Sequence, residues 1–199
     1  MPEDWIYMAL LHYPVYNKQK EVVASAITNL DLHDLARLCA TFELRKYYVV
    51  TPLELQRFLA EKLIQHWLEG SGAEYNWTRK VAFELVRVVE NLKQVKEEIK
   101  KESGSAPKLI GTTARNIAGQ ISFGKMKEII KNNPEQSFLI IFGTGWGLTQ
   151  EFLENEVDYL LEPIRGRSEY NHLSVRSASA IILDRLLSVD REKKPVQNK

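Results

Sequence analysis

The chain has 199 residues, of which 44% are hydrophobic and 10% aromatic, so it is long enough to bury a core within one domain. Its 27 basic and 26 acidic residues nearly cancel, which excludes recognition of a polyanion by overall charge and leaves that role to a local basic patch. The single cysteine excludes an internal disulfide. Because we find neither an apolar run of about 18 residues nor the basic region of a signal peptide, we expect a cytoplasmic protein without a membrane span.

The N-terminal half, residues 1–103, begins with apolar runs of strand length at residues 5–11 and 47–50. Asp31 followed by Asp34 predicts the start of a first helix after the short, ambiguous run 22–27. Residues 51–54 (Thr-Pro-Leu-Glu) form a capping box that predicts a second helix ending at Gly70. The apolar side of that helix is predicted to contain Leu55, Phe58, Leu59, Leu63 and Trp67.

After a polar turn around Tyr75, residues 83–89 read as a strand, and Asn91 with Gln94 predicts a capped helix that runs to about Ser103. A break at residues 103–107 separates this half from residues 107–187. There we predict strands at 108–110, 138–142 and 159–161, and helices at 125–131, after Leu148 and at 174–187.

This alternation predicts an α/β fold with a mainly parallel sheet and helices on both faces. We expect one domain over residues 1–189 and a flexible polar tail over 190–199. In parallel sheets ligands bind at the carboxyl ends of the strands. The turns after Ile110, Phe142 and Leu161 should therefore share the functional edge.

A glycine-rich turn, Gly-Thr-Gly-Trp-Gly at residues 143–147, directly follows the strand 138–142. Its glycines let backbone amides approach a nucleoside or phosphate, although a purely structural turn has the same composition. A dinucleotide fold is a competing reading, because Glu162 follows Gly143 at the distance expected of a ribose-binding acid. The glycines run G-x-G-x-G rather than G-x-G-x-x-G, however, and little chain remains after them for such a domain.

Residues 161–178 combine Pro-Ile-Arg-Gly with Asn-His-Leu-Ser-Val-Arg-Ser-Ala. Together with the Phe-Gly and Gly-Leu of the preceding turn, they resemble the last two motifs of the SPOUT RNA methyltransferases, in the branch related to tRNA guanine-N1 methyltransferases. The resemblance covers residues 107–187 best, and residues 111–115 (Gly-Thr-Thr-Ala-Arg) match the first motif loosely.

The resemblance implies a C-terminal deep trefoil knot, which is otherwise almost absent from proteins, and a homodimer in which the final helix packs against its counterpart. It also implies that the knot binds S-adenosylmethionine, with Leu161, Ile164 and Leu173 against the adenine faces. The cofactor-binding residues it implies are Thr112, Thr113, Phe142, Gly143, Thr144, Gly145, Leu161, Pro163, Ile164, Gly166, Asn171, His172, Leu173 and Ser174.

Methyl transfer requires alignment of the acceptor atom and an orienting or basic group. The candidates are Arg115, since ribose-methylating members of the superfamily use an arginine in the matching motif, and Glu162 and His172 near the same edge. Glu162 could instead satisfy a backbone amide or pair with Arg165, and His172 could be a capping or packing residue. The aspartate used by the guanine-N1 branch has no identified counterpart.

Basic residues near the predicted pocket are candidates for RNA binding. They are Arg115, Lys125, Lys127, Arg165, Arg167 and Arg176. For the lysines, an ordinary solvated helix face is an equal alternative. His12, His33 and His66 lack partners at metal-ligand spacing, so we expect no metal.

The sequence thus favours an S-adenosylmethionine-dependent methyltransferase that acts on tRNA or rRNA. A non-catalytic module with the same fold that binds S-adenosylmethionine or RNA is the main alternative. A nucleotide-dependent oxidoreductase is a third.

Overall fold

A computed structural model describes residues 5–69 and 76–188 of the chain. Its strands are β1 (Ile6–Leu11), β2 (Val15–Tyr16), β3 (Val22–Val23), β4 (Tyr47–Val50), β5 (Val86–Val89), β6 (Lys108–Gly111), β7 (Phe138–Gly143) and β8 (Tyr159–Leu160). Its helices are α1 (Asn29–Thr41), α2 (Glu54–Glu69), α3 (Trp77–Glu84), α4 (Leu92–Ser103), α5 (Phe123–Asn132), α6 (Gln150–Asn155) and α7 (Val175–Leu187).

The strands of the main sheet are short runs of branched and aromatic residues, and the central ones are buried along their whole length. Six strands pair in the order β5-β4-β1-β7-β6-β8, and every pairing is parallel. This confirms the predicted mainly parallel sheet. The N-terminal half contributes β5, β4 and β1, and the C-terminal half contributes β7, β6 and β8, so both halves share one sheet.

Helices cover both faces of the sheet, as predicted. Buried side chains of α4 and α6 pack on one face, where they meet Tyr7 and Tyr48. Helices α1, α2, α3, α5 and α7 pack on the other face. Because successive side chains along a strand point to opposite faces of the sheet, β1 supplies Tyr7 to one core and Met8 to the other.

The prediction of a strand over residues 83–89 is wrong at its start. Helix α3 extends to Glu84, and the strand begins at Val86. The Asn76 side chain accepts a hydrogen bond from the Arg79 amide and so caps this helix. Ala82 and Phe83 are buried in the core on the helix face that meets α1 and α2, so tertiary packing outweighs the strand preference of the apolar run.

The first helix begins earlier than the aspartates indicated. Thr28 is its N-cap, and the Thr28 hydroxyl accepts from the Asp31 amide. The second helix begins at Glu54, while the buried Thr51 hydroxyl accepts from the Leu53 amide instead of closing a capping box.

The predicted apolar side of α2 is also wrong in part. Leu55, Phe58 and Leu59 are exposed, whereas Ala60 and Ile64 are buried. Helix α2 packs mainly on α3 and β5 at the edge of the sheet, so only a narrow stripe of it is covered. The predictions for Gly70, Tyr75 and the tail 190–199 lie outside the described residues.

No helix among the described residues has the length and the apolar content that a membrane span needs.

Candidate functional site

Three loops meet at the carboxyl edge of β7, β6 and β8, which are neighbours in the sheet. We call residues 143–147 the glycine turn, residues 112–122 the arginine loop and residues 162–174 the terminal loop. The Leu161 amide donates to the Gly111 carbonyl, and the Glu162 amide donates to the Ile121 carbonyl. The prediction that the turns after Ile110, Phe142 and Leu161 share one edge is therefore confirmed.

The glycine turn is held by the protein's own backbone. The Trp146 amide donates to the Tyr16 carbonyl and the Tyr16 amide donates to the Gly147 carbonyl, both at 2.9 Å. The Thr144 and Gly147 amides donate to the Leu11 and Thr144 carbonyls. Three amides that the glycines were expected to free for a ligand are therefore already engaged within the protein.

Close packing explains why two positions of the turn are glycine. A Cβ atom on Gly143 would lie 2.7 Å from Leu148 Cγ, and one on Gly145 would lie 2.9 Å from the Tyr16 carbonyl oxygen. Gly145 also has a φ of +57°, in the left-handed region. Tyr16 of the β2–β3 hairpin thus leaves no room for a side chain at position 145, and Leu148 leaves none at position 143.

A partly buried chain of hydrogen bonds connects the glycine turn to His12, and the sequence analysis did not predict it. His12 Nδ1 lies 3.0 Å from Ser25 Oγ, which in turn contacts Thr144 Oγ1. Burial lowers the pKa of His12 from 6.5 to about 4, so its ring is neutral near pH 7. A signal was present, because His12 directly follows β1, whose end Leu11 pairs with Gly143 at the same edge.

Between residues 164 and 173, the described hydrogen bonds of the terminal loop come from side chains. No backbone amide of residues 164–173 donates a hydrogen bond to another described residue. Asn171 Nδ2 donates to the Ala114 carbonyl at 3.1 Å, and Arg165 donates to Asn116 Oδ1 at 2.9 Å. The ring of His172 lies 6.3 Å from that of Trp146, measured between centroids, so the terminal loop reaches both the arginine loop and the glycine turn.

Arg115 lies where the arginine loop meets the glycine turn. Its guanidinium donates to the Leu148 carbonyl and lies over the Tyr16 ring, 5.5 Å from the centroid. It makes no ion pair with a described carboxylate. Arg115 therefore has a fixed position and an uncompensated charge beside the turn.

The other two catalytic candidates differ in their surroundings. A Glu162 carboxylate oxygen accepts from the Phe123 amide at the start of α5, which matches the structural alternative for this residue. Arg165 contacts Asn116 instead of Glu162. His172 is exposed and stacks edge-on with Tyr170, 5.1 Å between ring centroids.

Several predicted cofactor residues are used by the fold itself. The side chains of Phe142 and Leu161 lie in the core, so only their backbone could contact a ligand. The Thr112 hydroxyl donates to the Ile141 carbonyl, and the Ser174 hydroxyl caps α7 by accepting from the Ser177 amide. Gly166 and Leu173 are exposed, and Pro163, Ile164 and Thr113 are buried or half-buried beside them.

The basic residues predicted to bind RNA fall into two groups. Arg176 pairs with Asp31 and Asp34 of α1, and Lys127 donates to the Ser188 carbonyl. Lys125 and Arg167, by contrast, are exposed and form no ion pair with a described residue. Within residues 5–69 and 76–188, no group of three or more metal-ligating side chains is arranged to hold a metal ion.

Known proteins resemble this chain over most of its length. An uncharacterized protein of Aquifex aeolicus is 41% identical over 191 residues, covering 96% of this chain and 92% of that protein. A tRNA (guanine-N(1)-)-methyltransferase of Oleidesulfovibrio alaskensis is 43% identical over 182 residues, covering 92% of this chain. This chain spans only 42% of the length of that relative.

Solved structures share the fold at low sequence identity. The SpoU methyltransferase AviRb of Streptomyces viridochromogenes, in complex with AdoMet, matches with a TM-score of 0.56 at 14% identity, over 93% of this chain and 57% of AviRb. The A. aeolicus TrmH/SpoU tRNA modifying enzyme matches with a TM-score of 0.54 at 15% identity, over 96% of this chain and 83% of that chain.

The model of a family described as SAM-dependent RNA methyltransferase matches residues 5–188. This match covers the whole sheet and all three loops, and it confirms the resemblance to the SPOUT enzymes and the expectation of S-adenosylmethionine as cofactor. It also excludes the oxidoreductase alternative. With the parallel sheet and the three-loop edge already in place, the chain belongs to the SAM-dependent RNA methyltransferase family.

Proposed function

We propose that this chain methylates a nucleotide of tRNA or rRNA at the edge where the glycine turn, the arginine loop and the terminal loop meet. The observation that carries the proposal is this convergence, since Trp146 lies beside His172 and Asn171 bonds to the Ala114 carbonyl. The relatives named as tRNA methyltransferases supply the substrate class.

The residues present fit S-adenosylmethionine. The amides of residues 164–173 have no partner among the described residues, so they are available to a nucleoside. Half-buried Ile164 and exposed Leu173 and Trp146 offer apolar surface beside them. When bound, this cofactor supplies an activated methyl group. We propose that the terminal loop holds it against Gly143–Gly145 through backbone contacts, in a knotted arrangement of the C-terminal half.

Arg115 is our proposed positioning group for the acceptor nucleotide. It is held by the Leu148 carbonyl and by Tyr16, so little side-chain freedom is lost when an RNA phosphate or base approaches. His172 is a second candidate, because it is exposed beside the glycine turn. The Glu162 carboxylate, which accepts from the Phe123 amide, is better suited to orienting the terminal loop.

We further propose that RNA contacts Arg165, Arg167 and Lys125, which are exposed near this edge. Arg176 is left out, because Asp31 and Asp34 compensate its charge. A homodimer and a cytoplasmic location stay predictions. Helix α7 uses Ile182, Leu183 and Leu186 in its own core, so a dimer through it would rest on its remaining surface.

A non-catalytic binding module is the second candidate. It is favoured by one observation, namely that Glu162, the carboxylate among the catalytic candidates, is already engaged by a backbone amide. Transfer of a labelled methyl group to RNA separates the two candidates.

The test combines calorimetry with S-adenosylhomocysteine and incubation of the protein with labelled S-adenosylmethionine and total RNA. We expect binding and label in an RNA fraction. Arg115→Ala should lower the transfer rate about 100-fold, the usual scale for an orienting group, with cofactor affinity nearly unchanged. Arg87→Ala, an exposed arginine of β5 paired with Glu98, is the matched control and should leave transfer intact.

Binding of S-adenosylhomocysteine without label in any RNA would favour the binding module. Absence of binding would show that the proposed pocket is misplaced. An Arg115→Ala variant as active as the wild type would remove Arg115 from the acceptor site.

A further inference from the structure

A cavity lies between α1 and α3, apart from the three loops. Its volume is about 370 Å³, within the range of small-ligand sites. It is lined by Arg37, Ala40, Thr41, Asn76, Thr78, Arg79 and Ala82. None of these residues belongs to the glycine turn, the arginine loop or the terminal loop, so the cofactor site does not account for the cavity.

The lining has the charge of an anion site. Among the described residues, the lining contains two arginines and no acidic side chain, and neither arginine forms an ion pair with another described residue. Ala40 and Ala82 line the cavity with small side chains. Two uncompensated guanidinium groups in one concave site favour a ligand with a phosphate, which arginine binds with two parallel hydrogen bonds.

One of the two guanidinium groups is already positioned. The Arg79 guanidinium lies over the Trp67 ring, 4.3 Å from its centroid, and Trp67 stacks on the buried Phe83. Burial lowers the pKa of His33, and the positive charge of Arg79 lowers it further. A guanidinium held by an aromatic ring loses little freedom on binding an anion.

Further donors come from the start of α3. The Asn76 side-chain oxygen accepts from the Arg79 amide and the Thr78 hydroxyl, while the Trp77 and Thr78 amides donate to no other described residue. These amides lie at the positive end of the helix, where phosphate groups bind. The Thr41 hydroxyl adds a donor from α1.

The cavity lies along the helix that also contacts the cofactor edge. Asp34 of α1 pairs with Arg176, which follows the terminal loop at the start of α7. Arg37 is one helical turn beyond Asp34, about 4.5 Å along the axis, and Thr41 is about 10 Å along it. A polynucleotide placed at the cofactor edge can therefore reach the cavity.

We propose that this cavity binds a phosphate group of the RNA substrate's backbone, as an anchoring site outside the methyl-transfer site. The proposal rests on the proposed RNA substrate. It assigns Arg37 and Arg79 to binding and leaves the cofactor and the reacting atoms to the three loops.

The test measures the Kd for bulk tRNA by fluorescence anisotropy at several salt concentrations. Arg37→Gln should weaken binding about fivefold and lower the slope of log Kd against log salt by about one, with a larger loss for Arg37→Gln/Arg79→Gln. Arg87→Gln, on β5 and paired with Glu98, is the matched control and should change neither quantity. The S-adenosylhomocysteine Kd should stay the same in all variants, which separates this site from the cofactor site.

A second arm titrates inorganic phosphate and follows the melting temperature. Because Arg37 has an exposed side chain, Arg37→Gln should fold normally and should lose the stabilisation that phosphate gives the wild type. Stabilisation of the wild type by phosphate, with an unchanged tRNA Kd in Arg37→Gln, would overturn the RNA assignment and leave a site for a free phosphate compound. Unchanged behaviour of Arg37→Gln in both arms would overturn the site altogether. If the wild type binds no RNA, the proposed function fails, and the phosphate arm still decides whether the cavity binds phosphate.

Discussion

The glycine turn and the terminal loop meet at Trp146 and His172, yet they are held in different ways. Backbone hydrogen bonds to Leu11 and Tyr16 fix the turn, and the partly buried hydrogen-bonded chain of His12, Ser25 and Thr144 supports it. The terminal loop is mostly exposed, and the amides of residues 164–173 bond to no described residue. The turn is organised by the fold, whereas the terminal loop has bonding capacity left for a ligand.

This difference has an energetic meaning. Fixing one residue's backbone costs about 1–2 kcal/mol of conformational entropy, which internal hydrogen bonds and packing must offset. The turn receives that compensation from the β2–β3 hairpin. For the terminal loop, the compensation should come with the cofactor. Substitutions in the turn should therefore act mainly on stability, and those in the terminal loop mainly on cofactor affinity.

The largest effect is expected for Gly145→Val. The new side chain would stand in the left-handed region at φ +57°, and its Cβ would lie 2.9 Å from the Tyr16 carbonyl oxygen. We expect a loss of about 2–4 kcal/mol in the free energy of unfolding, measured by urea denaturation, and a loss of S-adenosylhomocysteine binding.

Two alanine variants serve as controls for that substitution. Gly147 also has a positive φ, +91°, but a Cβ there meets no atom within 4 Å, so Gly147→Ala should show the backbone strain alone. Gly124 lies within α5 and has open space, so Gly124→Ala should be neutral or slightly stabilising. Stability equal to the wild type in Gly145→Val would contradict the close approach of the hairpin to the turn.

A smaller effect, confined to acid, is expected from His12. Unfolded His12 takes up a proton below pH 6.5, whereas in the folded protein its pKa is lowered to about 4 by burial. Above pH 6.5 the ring is neutral in both the folded and the unfolded protein, so His12 does not make the free energy of unfolding depend on pH. Between pH 6.5 and 4 the unfolded protein binds the proton more readily than the folded protein, so the free energy of unfolding falls as the pH drops. The loss attributable to this group is at most about 3 kcal/mol.

The measurement is urea denaturation of the wild type and His12→Asn between pH 4 and 7. Asparagine can keep a contact with Ser25 and does not titrate in this range. The carboxylates titrate in both proteins, so the difference between the two curves isolates His12. Parallel curves would show that His12 is not buried as a neutral ring.

The smallest effect on stability is expected for Asn171→Ala in the terminal loop. It removes the hydrogen bond from Nδ2 to the Ala114 carbonyl, in an exposed segment with few other contacts. We expect less than about 0.5 kcal/mol in stability and about fivefold weaker S-adenosylhomocysteine binding by calorimetry, because one orienting hydrogen bond is worth about 1 kcal/mol. A large drop in melting temperature with unchanged affinity would reverse the contrast between the two segments.

Much of the fold could be predicted because its signals are local. The strands 138–142 and 47–50 are apolar runs bounded by turn residues, and Asn91 is read directly as a helix cap that accepts from the Gln94 amide. The shared edge of the three turns followed from the parallel alternation alone. The motif in the terminal loop identified the family.

Other features could not be read locally. Phe83 and Glu84 belong to a helix because Ala82 and Phe83 pack into the core of the folded chain. Leu55, Phe58 and Leu59 of α2 stay exposed because that helix lies at the sheet edge. Neither fact can be inferred from periodicity, which indicates that a face is apolar but does not identify its partner.

The sequence by itself determined the α/β class, the order of the main-sheet strands and of every helix except α3, and the three segments that form the functional edge, because these depend on local patterns and on the geometry of parallel sheets. Only the tertiary structure decided how each segment is held. Contacts distant in sequence tie Gly145 to Tyr16, Ser25 to Thr144 and Arg176 to Asp34, and they leave Arg37 and Arg79 together in a cavity without a compensating charge among the described residues.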